Sequence, residues 1–444
     1  MSMLEIKSWL EKNKILDVEC LVPDITGNAR GKIIPADHFV NEEGMRLPES
    51  LFVQTVNGEW SDNWDQLVDG VEPDIVMYPD VKSLRKVPWE TATAQIIHDD
   101  VDQQETSILA RSVLKRVLAL YEAEGLKPIV APEMEFYLVA KNIDPNQSVE
   151  PPVGRSGRRE TACLSYSVEA VSEFGPLFEE MYRHCDVMGL DVDTLIHEAG
   201  TAQYELNFKH GDPLTLADEV FTFKRLLRET AMRHDVYATF MAKPMDEQSG
   251  SAMHIHQSIE DLQGDNIFAG EKAGEYTEAF NHYIGGLQKY LRKATALTAP
   301  NVNSYRRFMR DNSAPINLQW GVDNRTVGLR VPIANRRGTR IENRLPGADA
   351  NPYIAMAVTL ACGYLGMKEK LTPTEAITGS AYDEDFDIPR NLEYALRLLQ
   401  SCDALKEVLG ERFVKSYISI KEKEYEDFFS VITPWEREHL LRNV

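Results

Sequence analysis

The sequence predicts an α+β chain in two parts: a small β-rich N-terminal domain over 1–105 and a larger α+β domain over 106–444. Three observations predict it. Up to about Pro88 the chain reads as short strands broken by turn residues, and beyond the acidic stretch Asp99-Asp100-Val101-Asp102 it alternates helical and strand patterns to the C-terminus. The length of 444 residues, 43% of them hydrophobic, also exceeds what one ordinary core holds.

Taken in order, Glu19 to Asp24 reads as a strand, Thr26-Gly27-Asn28 as a turn and Gly31 to Pro35 as the returning strand. Ser107 is expected to cap a helix with Leu109, Val113, Val117 and Leu120 on one face, ended by Gly125. Asn142 to Arg159, with Pro145, Pro151, Pro152, Gly154 and Gly157, is a predicted loop, and so is Met367 to Pro389. Helical runs are predicted from Leu214 to His234, Tyr276 to Leu297 and Asn351 to Lys368. No internal repeat or low-complexity tract interrupts them.

A formal charge of −22 without a dense Lys/Arg run excludes a nucleic-acid footprint. Cys20, Cys163, Cys185, Cys362 and Cys402 are odd in number and lack C-x-x-C spacing, so they are expected to be reduced core residues. Met1 to Lys14 carries Glu5 and Glu11 and no signal-length apolar run, and no uncharged stretch approaches a membrane span. A cytoplasmic protein without a membrane partner is the expectation.

The chemistry concentrates in a few extended segments. In a strand, residues two apart share a face, so Glu133 and Glu135 point together with Met134 and Phe136 behind them. Adjacent carboxylates among apolar neighbours call for a cation, unless they merely face solvent on an edge strand. His254, His256 and Ser258 share a face in the same way, and Arg340-Ile341-Glu342-Asn343-Arg344 repeats the pattern. A single His-x-His is often structural, but Glu198 and Glu205 add two further carboxylates.

Carboxylates with an imidazole suit magnesium or manganese, ions that commonly handle phosphate. Arg306, Arg307, Arg310, Arg325, Arg330, Arg336, Arg337, Arg340 and Arg344 supply guanidinium for phosphate or carboxylate, the alternative being a solvated basic face or an intersubunit salt-bridge belt. A P-loop is absent, since Gly27 to Lys32 is one residue short and Ile33 follows it.

These segments, read together, resemble the glutamine synthetase family. Its signatures stand here in order as Glu133-Met134-Glu135, His197-Glu198 to Glu205, Lys243-Pro244 to His256, Asn303 to Arg307, Asn324-Arg325 to Pro332, Arg340 to Arg344 and Asn351-Pro352-Tyr353. The resemblance implies a β-grasp N-terminal domain, a catalytic domain with a curved antiparallel sheet, and a dodecamer of two hexameric rings with active sites between subunits. It implies ATP and two or more Mg2+ or Mn2+ ions per site, one held by Glu135, Glu198 and Glu205 and another by Glu133, His254 and Glu342. Glutamate would lie against Gly250, with Arg307 and Arg344 on its carboxylates and Glu135 and His254 beside it. Arg325, Arg330, Arg337 and Arg340 would face the phosphates, and Asp193, Phe208 and Ser258 would line the nucleotide pocket.

The implied reaction makes a γ-glutamyl phosphate that an amine then attacks. In ammonia-using relatives an Asp-Gly-Ser-Ser run and a flap glutamate hold ammonium; here those regions read Leu51 to Gly58 and Ser313, which leaves room for a larger amine. Leu190 to Glu198, Gly157 to Thr161 and Thr433 to Glu436 look like the γ-glutamylpolyamine synthetase branch, so a polyamine or monoamine is the expected second substrate. The tyrosine motif used for adenylylation in classical bacterial relatives is missing near Ser380 to Pro389. Ser249 and Ala252 replace the family's usual Asn and Gly, leaving another acceptor acid open. Glu198 and Tyr166 are the candidate proton acceptors. A true glutamine synthetase using ammonia and a non-catalytic sensing or scaffold homologue are the competing readings.

Overall fold

The structure, a computed structural model, describes every residue except 1–2, 42–43, 69–70, 101–105, 273 and 311–312. The segment read as short strands forms a mixed sheet of β1 (Asp17–Pro23), β2 (Ala29–Pro35), β3 (Met45–Pro48), β4 (Asp74–Pro79), β5 (Arg85–Lys86) and β6 (Thr93–Asp99). Its order is β2-β1-β6-β4-β3, with β5 also on β6; only β1 and β6 run parallel. The Asp24 carboxylate accepts the N–H groups of Thr26 and Asn28, and Gly27 takes φ +88°, so the predicted turn closes as a capped loop. A helix over Met3–Lys12 buries Ile6 and Leu10 four residues apart; its charged flanks hid it from the sequence reading.

The second sheet holds β7 (Leu126–Ala140), β8 (Val192–His197), β9 (Gln203–Phe208), β10 (Val236–Thr239), β11 (Met253–Asp261), β12 (Trp320–Val322), β13 (Leu329–Val331) and β14 (Ile341–Asn343). The order is β12-β13-β14-β11-β7-β9-β8, with β10 also on β7, and every pair is antiparallel except β12 with β13. β7 is therefore central, which removes the edge-strand reading of Glu133 and Glu135. The helix Pro352–Glu369 is apolar on nearly all sides and buried from Pro352 to Gly363, as a helix packed between the helices Ala110–Ala123 and Glu278–Tyr290 must be.

Several sequence expectations shift. Ser107 is not the helix cap: the helix starts at Ala110 with Leu109 in the cap position, and the Ser107 hydroxyl accepts the Leu109 N–H at 3.1 Å just before it. The run from Tyr276 to Leu297 breaks into Glu278–Tyr290 and Thr295–Thr298, and the helix Pro352–Glu369 takes the first residues of the loop expected from Met367. Cys163 is exposed, while the other four cysteines are buried, and none of the five is in a disulfide among the described residues. Asp99 and Asp100 are buried against Arg111 and Ser112. Val101, Asp102 and Glu105, where the expected domain boundary falls, lie outside the described residues. Among the described residues no helix is long and apolar enough to cross a membrane.

Candidate active site

Strand register assembles the site. Glu133 lies opposite Asn207 on β9 and His254 on β11, and Glu135 lies opposite Glu205. One strand further, His256 is opposite Glu342, and Glu342 opposite Arg330. Directly opposed antiparallel residues share a face, so segments more than a hundred residues apart in sequence deliver their polar side chains to one surface of the sheet. Glu198 follows β8 at its end, tied by its N–H to the Gln203 carbonyl at 2.8 Å.

His254 sits amid the carboxylates, with Nδ1 3.5 Å from Glu133 and 3.8 Å from Glu342, and Nε2 3.9 Å from Glu135. Burial and the neighbouring Arg344 charge lower its pKa to about 4, leaving a neutral imidazole. Glu135 is pushed up to about 8 by burial and by the charge of Glu198. Burial and surrounding carboxylates also raise Glu205 well above its usual range, and burial raises Glu198. Burial works to raise Glu342 too, but Arg344, His256 and His254 outweigh it and hold that carboxyl at about 2. Glu133 is likewise held low by His254 and His256 against the effect of burial.

The cluster thus divides into Glu133 and Glu342, which neighbouring histidines and Arg344 hold low, and Glu135, Glu198 and Glu205, which burial and neighbouring carboxylates raise even with Arg307, Arg325 and Arg344 nearby. A bound cation would favour the ionised form of the second group. Ligating atoms of Glu133, Glu205 and His254 lie within 4.8 Å of one another, as do those of Glu133, His256 and Glu342. Hard oxygen donors with one imidazole fit a divalent ion such as Mg2+ or Mn2+. The buried Nε atoms of Arg330 and Arg344 also lack a partner, as expected where an anionic ligand completes the shell.

Two cavities meet on Glu133 and Asn207, of about 530 and 550 Å³. The first is lined by Glu135, Glu198, Glu205, Gly250 and His254, and by the guanidinium-bearing Arg307, Arg325, Arg330 and Arg344. The second gathers Asp193, Phe208, Ser258, Arg337 and Arg340. Glu342 lies beneath them at 1% exposure, bridged by Arg330 at 2.7 Å and also bonded by Arg344. Every residue to which the family resemblance gives a site role therefore falls on these cavities or in their floor.

The two arginines expected on the acid substrate line the first cavity but also carry protein partners. Arg307 is 2% exposed and donates to the Leu345 carbonyl at 2.7 Å and the Pro346 carbonyl at 3.1 Å, while Arg344 spans Glu342 and the Ser313 carbonyl. Of the remaining arginines from the sequence run, Arg306, Arg310 and Arg336 are exposed.

Sequence reasoning missed two residues, Gln203 and Tyr137, and placed a third, His256, on the shared face without assigning its contacts. Gln203 donates to the Gly250 carbonyl at 3.0 Å and to Glu135 at 3.3 Å, and Tyr137 donates to the Ser249 carbonyl at 2.7 Å, so both fix the loop behind the first cavity. His256 bonds Glu133 at 2.8 Å and accepts from Arg340 at 3.1 Å, linking the cavities. The period-two spacing of Gln203 with Glu205, and of Tyr137 with Glu135, was the available signal.

A Cβ on Gly250 would lie 2.3 Å from Cγ of Arg307 and 2.9 Å from the Ala242 carbonyl. Gly250→Ala is expected to displace this wall and cut turnover about tenfold or more, chiefly through a raised KM for the acid substrate, with the circular dichroism spectrum unchanged. An unchanged KM would mean that the wall does not touch substrate.

Residues 108–440 match the family model described as the glutamine synthetase catalytic domain. The chain is 33% identical to glutamate–isopropylamine ligase of Pseudomonas sp, over 98% of this chain and 96% of that one. It is 33% identical to γ-glutamylputrescine synthetase of Escherichia coli, over 99% and 94%. Identity to a glutamine synthetase of Pyrococcus abyssi is 32%, over 100% and 97%. Among solved structures, GmaS without ligand superposes with a TM-score of 0.85 at 26% identity, covering 98% of this chain and 99% of that one.

Proposed function

Since this chain belongs to the glutamine synthetase family, we propose that it joins the γ-carboxylate of glutamate to the nitrogen of an organic amine with ATP, by way of γ-glutamyl phosphate. The observation that carries this reading is the pair of cavities meeting at Glu133, one rich in carboxylates and arginines and the other lined by the residues expected around a nucleotide.

In the proposed first step, a γ-carboxylate oxygen attacks the γ-phosphorus of ATP, the bond to the β-phosphate oxygen breaks, and ADP leaves. In the second, the amine nitrogen attacks the acyl carbon, phosphate leaves, and one proton is lost from nitrogen. Divalent ions held by Glu135, Glu198 and Glu205, and by Glu133, His254 and Glu342, would supply neutralising charge for the phosphoryl group. Arg337 and Arg340 orient the nucleotide phosphates, Arg325 and Arg330 stabilise charge on the transferring group from the side of the first cavity, and Arg344 holds the acid substrate. Arg307 shapes the Gly250 wall from behind. An amine with a pKa near ~10.4 arrives protonated, so a base is needed; Glu198, whose pKa burial raises, lines the first cavity as Tyr166 does.

An organic amine rather than ammonia is favoured by Ser313, which lines the first cavity with a short hydroxymethyl group where ammonia-using relatives carry a glutamate, and by the two amine-using relatives. The same reading includes a dodecamer of two hexameric rings, supported by the exposed apolar residues Phe429, Val431, Ile432, Trp435 and Leu441 near the C-terminus.

The test is phosphate release from ATP with magnesium and glutamate, comparing ammonium, putrescine, spermidine and a series of monoamines, with mass spectrometry of the product. A γ-glutamyl amide formed from an organic amine supports the reading; release with ammonium alone replaces it with glutamine synthesis. Arg344→Ala is expected to raise the KM for glutamate about thirtyfold or more, with the KM for ATP little changed. Equal effects on both would remove Arg344 from the acid subsite.

A further inference from the structure

A third cavity, of about 210 Å³, lies away from the carboxylate cluster, where the turn around Gly27 and Val56 meets the helix Pro213–Arg233 and the helix Glu411–Phe429. Its volume holds several water-sized groups. Its wall carries three cations, Lys224, Arg228 and Lys421.

Their partners are unequal. Lys224 is 7% exposed, yet its ammonium donates only to neutral carbonyls, those of Ala348 at 2.6 Å and Ala350 at 3.0 Å. Arg228 has no carboxylate partner among the described residues and lies over the Phe240 ring at 5.2 Å, with Lys224 5.3 Å from the same ring. Lys421 is paired with Glu424 at 2.7 Å, and Glu424 in turn accepts the Val56 N–H at 2.7 Å. One carboxylate, Asp349, lines the cavity; its Oδ2 accepts from Asn301 at 2.8 Å and Ser304 at 2.6 Å, and its Oδ1 has no partner. With every group ionised, the three cations outnumber the two carboxylates, Asp349 and Glu424, by one. Burial, then the charge of Arg228, drives the Lys224 ammonium down to about 7, and burial lowers Arg228 as well.

We propose that this cavity is a binding site for a small oxyanion, a phosphate, sulfate or carboxylate, received by the Arg228 guanidinium and the Lys224 ammonium at the junction of the N-terminal sheet with the catalytic sheet. Guanidinium presents paired donors that match two oxygens of such an anion, and Phe240 holds its plane. The bound anion supplies the missing counter-charge.

The test is isothermal titration of the full-length protein with inorganic phosphate, sulfate and acetate, without nucleotide or metal, in wild type, Arg228→Gln and Arg337→Gln. Arg228 is exposed and lines the cavity, so Arg228→Gln is expected to keep the fold. Saturable binding of at least one of the three anions is expected in wild type and Arg337→Gln, and about tenfold or weaker affinity in Arg228→Gln. Equal affinity in Arg228→Gln and wild type, loss only in Arg337→Gln, or no saturable binding would each overturn the assignment. None of these outcomes depends on which amine the enzyme uses.

Discussion

Glu135→Ala is expected to lower ATP turnover about a thousandfold or more while the protein keeps its secondary structure. Glu135 stands on the central strand β7, opposite Glu205, and accepts the Ala252 N–H at 2.8 Å. Alanine keeps the strand pairing and removes one of the three carboxylates that burial and neighbouring carboxylates raise. In the metal-free protein the Glu135 carboxyl titrates near 8. A carboxyl with a raised pKa keeps its proton below that value, so a divalent ion bound at pH 7 must displace it. Metal affinity should therefore rise from about pH 6.5 to pH 8.5. Titration calorimetry in two buffers of different ionisation enthalpy reads the protons released, fewer in Glu135→Ala than in wild type. Glu135→Gln keeps the hydrogen bond to Ala252 without the charge and separates packing from electrostatics. Turnover retained in both variants would remove this carboxylate from the metal site.

How much of this was legible depended on whether the signal was local. The two-residue spacing of Glu133 with Glu135 and of His254 with His256 announces a shared face without any tertiary information, and the structure keeps each pair on one face. The register that sets Glu133 opposite His254 is a long-range pairing, and nothing within either segment states it. The contact of Glu342 with Arg330 was hidden for the same reason, since the two stand in separate motifs, whereas Arg344, two residues from Glu342, shares its face by the local spacing. Ser107 shows a local rule overridden, since Ser107 to Arg111 are all buried, the serine hydroxyl turns to the Leu109 N–H, and the helix starts only at Ala110. Gln203 went unread because an amide beside a glutamate looks like a solvated strand residue until burial to 1% exposure demands a partner for each of its polar atoms.

The second large effect concerns the joint between the two sheets. Arg111 is 2% exposed and bonds three carboxylates: Asp218 at 2.9 and 2.7 Å, Asp80 at 2.6 Å, and Asp99. Asp80 and Asp99 belong to the N-terminal sheet region and Asp218 to the helix Pro213–Arg233; Tyr353 donates to Asp218 at 2.6 Å and Lys115 adds a bond to Asp99. Arg111→Met fills similar space but leaves Asp218 buried with only the tyrosine hydroxyl, and is expected to cost about 3–5 kcal/mol. Burial already raises the Asp218 carboxyl despite Arg111, and without the guanidinium it would rise further. A folded-state pKa raised above the unfolded value favours the fold at low pH and loses that contribution as pH rises, so the deficit of the variant should be larger at pH 8 than at pH 5. Urea denaturation at the two pH values measures it. The exposed pair of Arg397 with Glu393 serves as control, because Arg397→Met should cost at most about 1 kcal/mol with little pH dependence. A cost for Arg111→Met no greater than that of the control would mean that packing alone, and not this buried network, holds the sheets together.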